Sequence, residues 1–271
     1  MQINLIYCSR VAETKVRLQE LVRDNFPQHT LRCINAVNTD VPQNLDINTT
    51  IFYGAGDDYD LSKKSFLEFI ADIIPNTLTT RDALGEFDSV VIKENNRTII
   101  CLNKDGGSNQ RYKFYPRKTE WRVNYSYGKV NNVLNKNLLV GELFGKVGDN
   151  SRWTKENNSL TRQYLTDITK QIGERVVQRY PKVKHFGIDF IRNNDDDKFY
   201  ILELNRANSR NLENCQFLLE NFLDNYQRTS FATVKNTLIN RINNANNIDD
   251  LHCVITATLA VDVFRRQTQN V

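Results

Sequence analysis

The chain has no apolar run approaching the roughly 20 residues of a membrane span. It also shows no internal repeat and no low-complexity tract. Histidine is scarce: His29, His185 and His252 stand far apart without metal-ligand spacing, so each reads as structural. The cysteines Cys8, Cys33, Cys101, Cys215 and Cys253 are scattered, odd in number and free of C-x-x-C spacing. That argues against a disulfide framework and against a zinc site, and fits reduced core residues of a cytoplasmic protein. The charge excess of +4 suits an anionic substrate and falls short of the basic surplus that marks a nucleic-acid binder. The opening Met-Gln-Ile-Asn-Leu-Ile-Tyr-Cys is too short and too polar for a signal peptide. No G-x-G-x-x-G dinucleotide fingerprint occurs. What remains is an ordinary globular composition, 40% hydrophobic and 25% charged. Its 271 residues allow one sizeable core or two smaller ones.

The most informative stretch runs from Phe186 to Asn205. Phe-Gly-Ile-Asp-Phe-Ile-Arg and Lys-Phe-Tyr-Ile-Leu-Glu-Leu-Asn are both rich in strand formers. The polar residues Asn193 to Asp197 between them supply turn chemistry, so the unit reads as a β-hairpin. A turn centred near Asp195 places Asp189 and Glu203 roughly opposite each other, and directly paired residues have Cβ atoms about 4.5–5.5 Å apart. Asn205 shares a face with Glu203 because side chains alternate along a strand. Two carboxylates that close repel unless a positive group sits between them or one is protonated. A hard divalent cation meets that need, and Mg²⁺ uses one or two carboxylates together with substrate phosphates.

Taken in order, Ile3 to Cys8 reads as a strand, Val11 to Phe26 as a helix, and Leu31 to Val37 and Thr50 to Tyr53 as strands. Leu61 to Ile74 again has helical spacing. This alternation indicates a small α/β lobe with a parallel sheet, and the loop Gly54 to Asp58 follows its third strand. Pro75 to Asp82 marks a boundary. Beyond it, Ser89 to Lys93, Thr98 to Lys104, Tyr112 to Tyr115, Glu120 to Tyr125 and Lys129 to Leu134 form an antiparallel meander with turns such as Ser126-Tyr127-Gly128. Leu160 to Tyr180 is helical, and after the hairpin three helices are expected over Cys215 to Tyr226, Phe231 to Ile242 and Leu251 to Phe264.

Lys93, Lys104 and Lys136 each close an apolar run of the meander. A triphosphate needs several such point charges besides Mg²⁺. Asp105-Gly106-Gly107-Ser108 is a hairpin turn that is also able to cover phosphates. Glu120, Arg122 and Asn124 alternate with Trp121, Val123 and Tyr125, which puts the polar set on one face of a strand.

In this order the features resemble the ATP-grasp superfamily, and within it the compact proteins of bacteriophages and bacteria. The residues that carry the resemblance are Phe-Tyr-Pro-Arg-Lys-Thr-Glu-Trp-Arg-Val (114–123), Gly128-Lys129-Val130, Lys136, Gly-Ile-Asp (187–189) and Leu-Glu-Leu-Asn (202–205). The resemblance covers roughly residues 85 to 215. It implies an α+β protein: an α/β amino-terminal lobe over 1–80, an ATP-grasp domain of two α+β subdomains over 81–228, and a helical segment over 229–271. By that likeness Asp189, Glu203 and Asn205 hold Mg²⁺, Glu120 faces the ribose of ATP, and Lys93 and Lys136, with Lys104 beside them, face its phosphates. The implied reaction is an ATP-dependent ligation: a carboxylate, from a small molecule or a peptide, is phosphorylated and an amine or thiol displaces the acyl phosphate. No Ser, Cys or His nucleophile is required for it. Many ligases carry an arginine two residues before the first metal carboxylate. Gly187 stands there, so Arg122 or Arg206 supplies the charge instead. A kinase that stops at phosphorylation and a nucleotide-binding module without ligase activity are the alternatives. The helices after Cys215 are open to contacts between two copies of the chain.

Overall fold

The computed structural model describes residues 1–7, 12–36, 41–42, 44–53, 78–80, 90–94, 97–101, 111–113, 115–138, 153–205, 212–245, 248, 250–252, 254 and 256. The architecture is α+β. Residues Met1–Asn221 form one compact unit and Phe222–Val271 a second.

The first unit opens with a parallel sheet in the order β2-β1-β3, built from β1 (Gln2–Tyr7), β2 (Thr30–Asn35) and β3 (Thr50–Tyr53). Ile3, Leu5 and Ile6 of β1 are wholly buried, as a central parallel strand requires. Helix α1 (Ala12–Asn25) makes the crossover from β1 to β2 and buries Leu18, Leu21 and Val22. The helix expected over Leu61 to Ile74 and the loop Gly54 to Asp58 lie outside the described residues.

The meander is divided between two sheets. β5 (Val90–Glu94), β6 (Arg97–Cys101) and β7 (Arg111–Lys113) form a small antiparallel sheet of order β6-β5-β7. β8 (Thr119–Ser126) and β9 (Lys129–Asn137) instead enter a six-stranded sheet of order β10-β9-β8-β11-β12-β4. Its other strands are β4 (Leu78–Thr80), β10 (Thr154–Lys155), β11 (His185–Arg192) and β12 (Phe199–Asn205). β4 falls inside the stretch that reads as a boundary and pairs parallel with β12. The β8–β9 turn holds Tyr127 at φ 49° and Gly128 at φ 85°, the paired positive values that match strand twist in a two-residue hairpin.

Helix α2 (Ser159–Arg179) covers one face of the large sheet. Asn158 caps it by accepting the Thr161 N–H at 3.0 Å. Leu165, Ile168, Ile172 and Val176 pack against Trp121, Val123, Tyr125, Phe186, Ile188 and Phe190. The helix approaches closely at Gly173, where a Cβ would lie 2.1 Å from the Tyr125 ring. A glycine's helix penalty is accepted there for the contact.

Two helices are expected between Cys215 and Ile242, but one continuous helix α3 (Leu212–Asn243) is found. Nothing in Arg228-Thr229-Ser230 breaks a helix, since all three residues tolerate helical φ and ψ. The division between the units falls within α3, at 221/222. In the second unit Phe231, Val234, Ile239 and Ile242 are exposed. Among the described residues no helix is long and apolar enough to cross a membrane.

Candidate active site

The face of the six-stranded sheet turned away from α2 carries the polar residues in register. Directly paired residues share a face, so the ladder arranges them in rows. The first row is Lys136, Glu120, Ile191 and Tyr200. The second is Lys155, Leu134, Arg122, Asp189 and Glu203. The third is Asn124, Gly187 and Asn205. A register shift after Asp189 leaves Leu202 unpaired, between Glu203 opposite Asp189 and Ile201 opposite Phe190. Such a bulge re-aims side chains near a site.

The repulsion expected between Asp189 and Glu203 is met, on the Asp189 side, by a residue 67 positions away. Arg122 grips both Asp189 oxygens, Nε to Oδ1 and Nη2 to Oδ2, each at 2.6 Å. Asn205 Nδ2 donates to Oδ2 at 2.9 Å, which leaves its own Oδ1 as an acceptor. The pair is largely buried, with 24% of the Arg122 side chain and 12% of that of Asp189 exposed. Burial works against the guanidinium charge. Asp189, aided by Glu120, outweighs it and holds the arginine more firmly protonated than usual.

Glu120 is held by an arginine that sequence reasoning passed over. Arg117 Nε and Nη2 donate to Glu120 Oε1 at 2.8 and 2.6 Å, and the ion pair is buried. Lys136, expected to be a strand-end lysine, is only 4% exposed and lies directly across from Glu120. Tyr115, Ile191 and Tyr200, with Leu202, form an apolar cluster at the other end of the first row. On the third row Asn214 of α3 accepts from Asn124 at 3.1 Å and Asn131 at 3.2 Å, fixing the start of α3 to this end of the sheet.

Glu203 and Lys93 are described by backbone alone, in β12 and β5; Lys104 and Arg206 lie outside the described residues. The structure therefore brings Glu120, Arg122, Lys136, Asp189 and Asn205 onto one face. Among the described residues no three His, Cys, Asp or Glu side chains gather around a metal position. The oxygen donors Asp189 and Asn205, with Glu203 in register, are of the type a hard divalent cation takes, and their small number leaves coordination to waters and phosphates.

Two further residues had no signal in the pattern, because the stretch before Leu160 has no periodicity. Glu156 is buried on the α2 side, where it accepts from the Trp121 indole at 2.6 Å, Asn135 at 3.0 Å and the Asn158 backbone at 2.7 Å. Burial would raise its pKa, but these donors and the Asn157 backbone outweigh that and hold it below the ordinary glutamate range. Trp153 lies on the opposite side, beside Arg122 and Lys136. His185 is confirmed as a core residue: stacked on Tyr53 with centroids 5.8 Å apart, it is pushed by burial down to about 3 and stays neutral.

No protein-family model and no curated protein matches the chain. Solved structures do. The ATP-grasp ligase PsnB, complexed with a minimal precursor, Mg and ADP, aligns at a TM-score of 0.53 and 11% identity over 83% of this chain and 97% of that one. D-alanyl-alanine synthetase A from Vibrio cholerae aligns at 0.52 and 14% identity, over 84% and 99%. The macrocyclase MdnB from Microcystis aeruginosa aligns at 0.51 and 10% identity, over 83% and 97%. The chain has the ATP-grasp fold.

Proposed function

We propose that this chain is a Mg·ATP-dependent ligase that activates a carboxylate as an acyl phosphate and joins it to an amine or thiol. The observation that carries the reading is the set of two cations and two carboxylates, Lys136, Arg122, Glu120 and Asp189, largely buried and in register on one sheet face. Burying four charges costs folding free energy, and such sets concentrate where they meet a ligand. The ATP-grasp fold supports the same reading.

Lys136, with Lys93 and Lys104, would face the phosphates, and Glu120, steadied by Arg117, the ribose. Asp189, Glu203 and Asn205 would hold Mg²⁺, which when bound neutralises phosphate charge. Arg122 and Arg206 would stabilise the charge that develops on the transferred phosphoryl group. In the first step a carboxylate oxygen bonds to the γ-phosphorus and the bond to the β–γ bridging oxygen breaks, releasing ADP. In the second an amine or thiol attacks the acyl carbon, loses its proton, and expels inorganic phosphate. PsnB was solved with a minimal precursor, so peptide carboxylates join free amino acids as acyl substrates to test.

Binding of Mg·ATP should stabilise the fold by about 2–3 kcal/mol at a hundredfold excess over the dissociation constant. A melting curve unmoved by millimolar ATP with Mg²⁺ rejects the reading. ADP release is then screened against amino acids and short peptides. Release that requires both a carboxylate and a nucleophile identifies a ligase. Release with the phosphate acceptor alone identifies a kinase, and binding without turnover identifies a nucleotide-binding module.

A further inference from the structure

Trp153 immediately precedes β10, the edge strand of the large sheet. Thr154 pairs with Asn135, and carrying that register back one residue sets Trp153 across from Lys136. It is therefore on the face that holds Glu120 and Arg122. The Arg122 Cζ lies 5.1 Å from the ring centroid and the Lys136 Nζ 5.9 Å from it. Both are within reach of the negative face of an indole. The chain's other tryptophan, Trp121, is on the α2 side and is bound to Glu156.

From this geometry we infer that Trp153 is a positioning residue for the two cations of the proposed phosphate site. The inference rests on the ligase reading above and deepens it. Lysine and arginine side chains carry much rotamer freedom, and a site that fixes them before the ligand arrives loses less on binding. A carboxylate would also fix them, but it would cancel the charge that phosphate must meet. Arg122 already has Asp189 and Lys136 lies across from Glu120. A further carboxylate there would add negative charge where phosphate must bind. An aromatic face holds both cations by its quadrupole and leaves their full charge in place. The surroundings of Trp153 fit this role better than a core role: it is half-buried, and Thr154 and Lys155 beside it are exposed.

The test uses the full chain and its two tryptophans. Subtracting the emission of Trp153→Phe from that of the parent isolates the Trp153 signal. Without ligand, Lys136→Met and Arg122→Met should each change that signal and leave the Trp121 emission, seen in the Trp153→Phe background, as it was. In titrations with Mg·ATP followed by thermal shift, Trp153→Leu should bind about tenfold more weakly, between the values of an exposed and a desolvated cation–π contact. Trp153→Phe keeps an aromatic face and should stay within about threefold of the parent. Trp153→Leu should keep the parental unfolding midpoint without nucleotide. Parental affinity in Trp153→Leu, or equal losses in the Leu and Phe variants, overturns the inference. So does a Trp153 emission indifferent to both cation replacements. A parent that fails to bind ATP rejects the ligase reading instead, and the ligand-free emission still decides whether the ring holds the cations.

Discussion

On the α2 side of the six-stranded sheet lie Trp121, Val123, Tyr125, Ile188 and Phe190. One residue along on the same strands, on the other side, stand Glu120, Arg122, Asn124 and Asp189. Each side also contains a buried carboxylate, and the two are satisfied differently. Glu156 is held by uncharged donors: an indole, an amide and backbone N–H groups. Asp189 is held by a guanidinium and one amide. A carboxylate satisfied by several neutral donors is costly to re-pair, because each buried donor it leaves loses its own partner. One balanced chiefly by a single cation can have its charge matched by an incoming ion as well. The same chemical group therefore fastens three elements on one side and stands available to a ligand on the other.

That contrast can be broken most severely on the α2 side. Phe190 is fully buried among the α2 contacts, and Phe190→Ala should cost about 3–5 kcal/mol of stability. A denaturant midpoint within error of the parent would mean that this side does not carry the fold. The next test sharpens the contrast. Asp189→Asn keeps shape and an acceptor for Arg122, so stability should fall by only about 1–2 kcal/mol. ADP production should fall at least about a hundredfold, which corresponds to roughly 2.7 kcal/mol of transition-state stabilisation. A variant that unfolds early and turns over normally would make Asp189 the structural carboxylate. The smallest effect concerns acid. The Glu156 pKa is depressed in the folded chain, so its contribution is complete above the ordinary glutamate value and is lost as pH falls through the depressed one. Glu156→Gln should remove that part of the acid limb of the stability curve, measured as unfolding midpoint against pH. An acid limb unchanged by the substitution would assign the loss to other carboxylates.

The hairpin of β11 and β12 was legible because its signals are local. Alternation and turn residues bring Asp189 close to Glu203, and the one-residue bulge at Leu202, which no count shows, sets the two directly opposite. The partner of Asp189 was not legible as such. Arg122 belongs to a strand 67 residues earlier, and no local pattern states that β8 lies beside β11 rather than beside β7. The same blindness merged two sheets into one meander. Lys136 was legible as a position but not as a buried residue, since polar residues alternate on both sides of β9. Trp153 and Glu156 flank or follow a two-residue strand, too short to show a period. The break expected within α3 came from polar residues at 228–230, which are compatible with a helix once its neighbours propagate it.

Strand β11 is buried from His185 through Ile191 and hydrogen-bonded along both edges, to β8 and to β12. Its amide protons have no local route to solvent. They should exchange slowly, through larger openings of the sheet rather than through motion of the site alone. A ligand gripping the polar rows would slow exchange along all of β11 together, by a factor set by its own binding free energy.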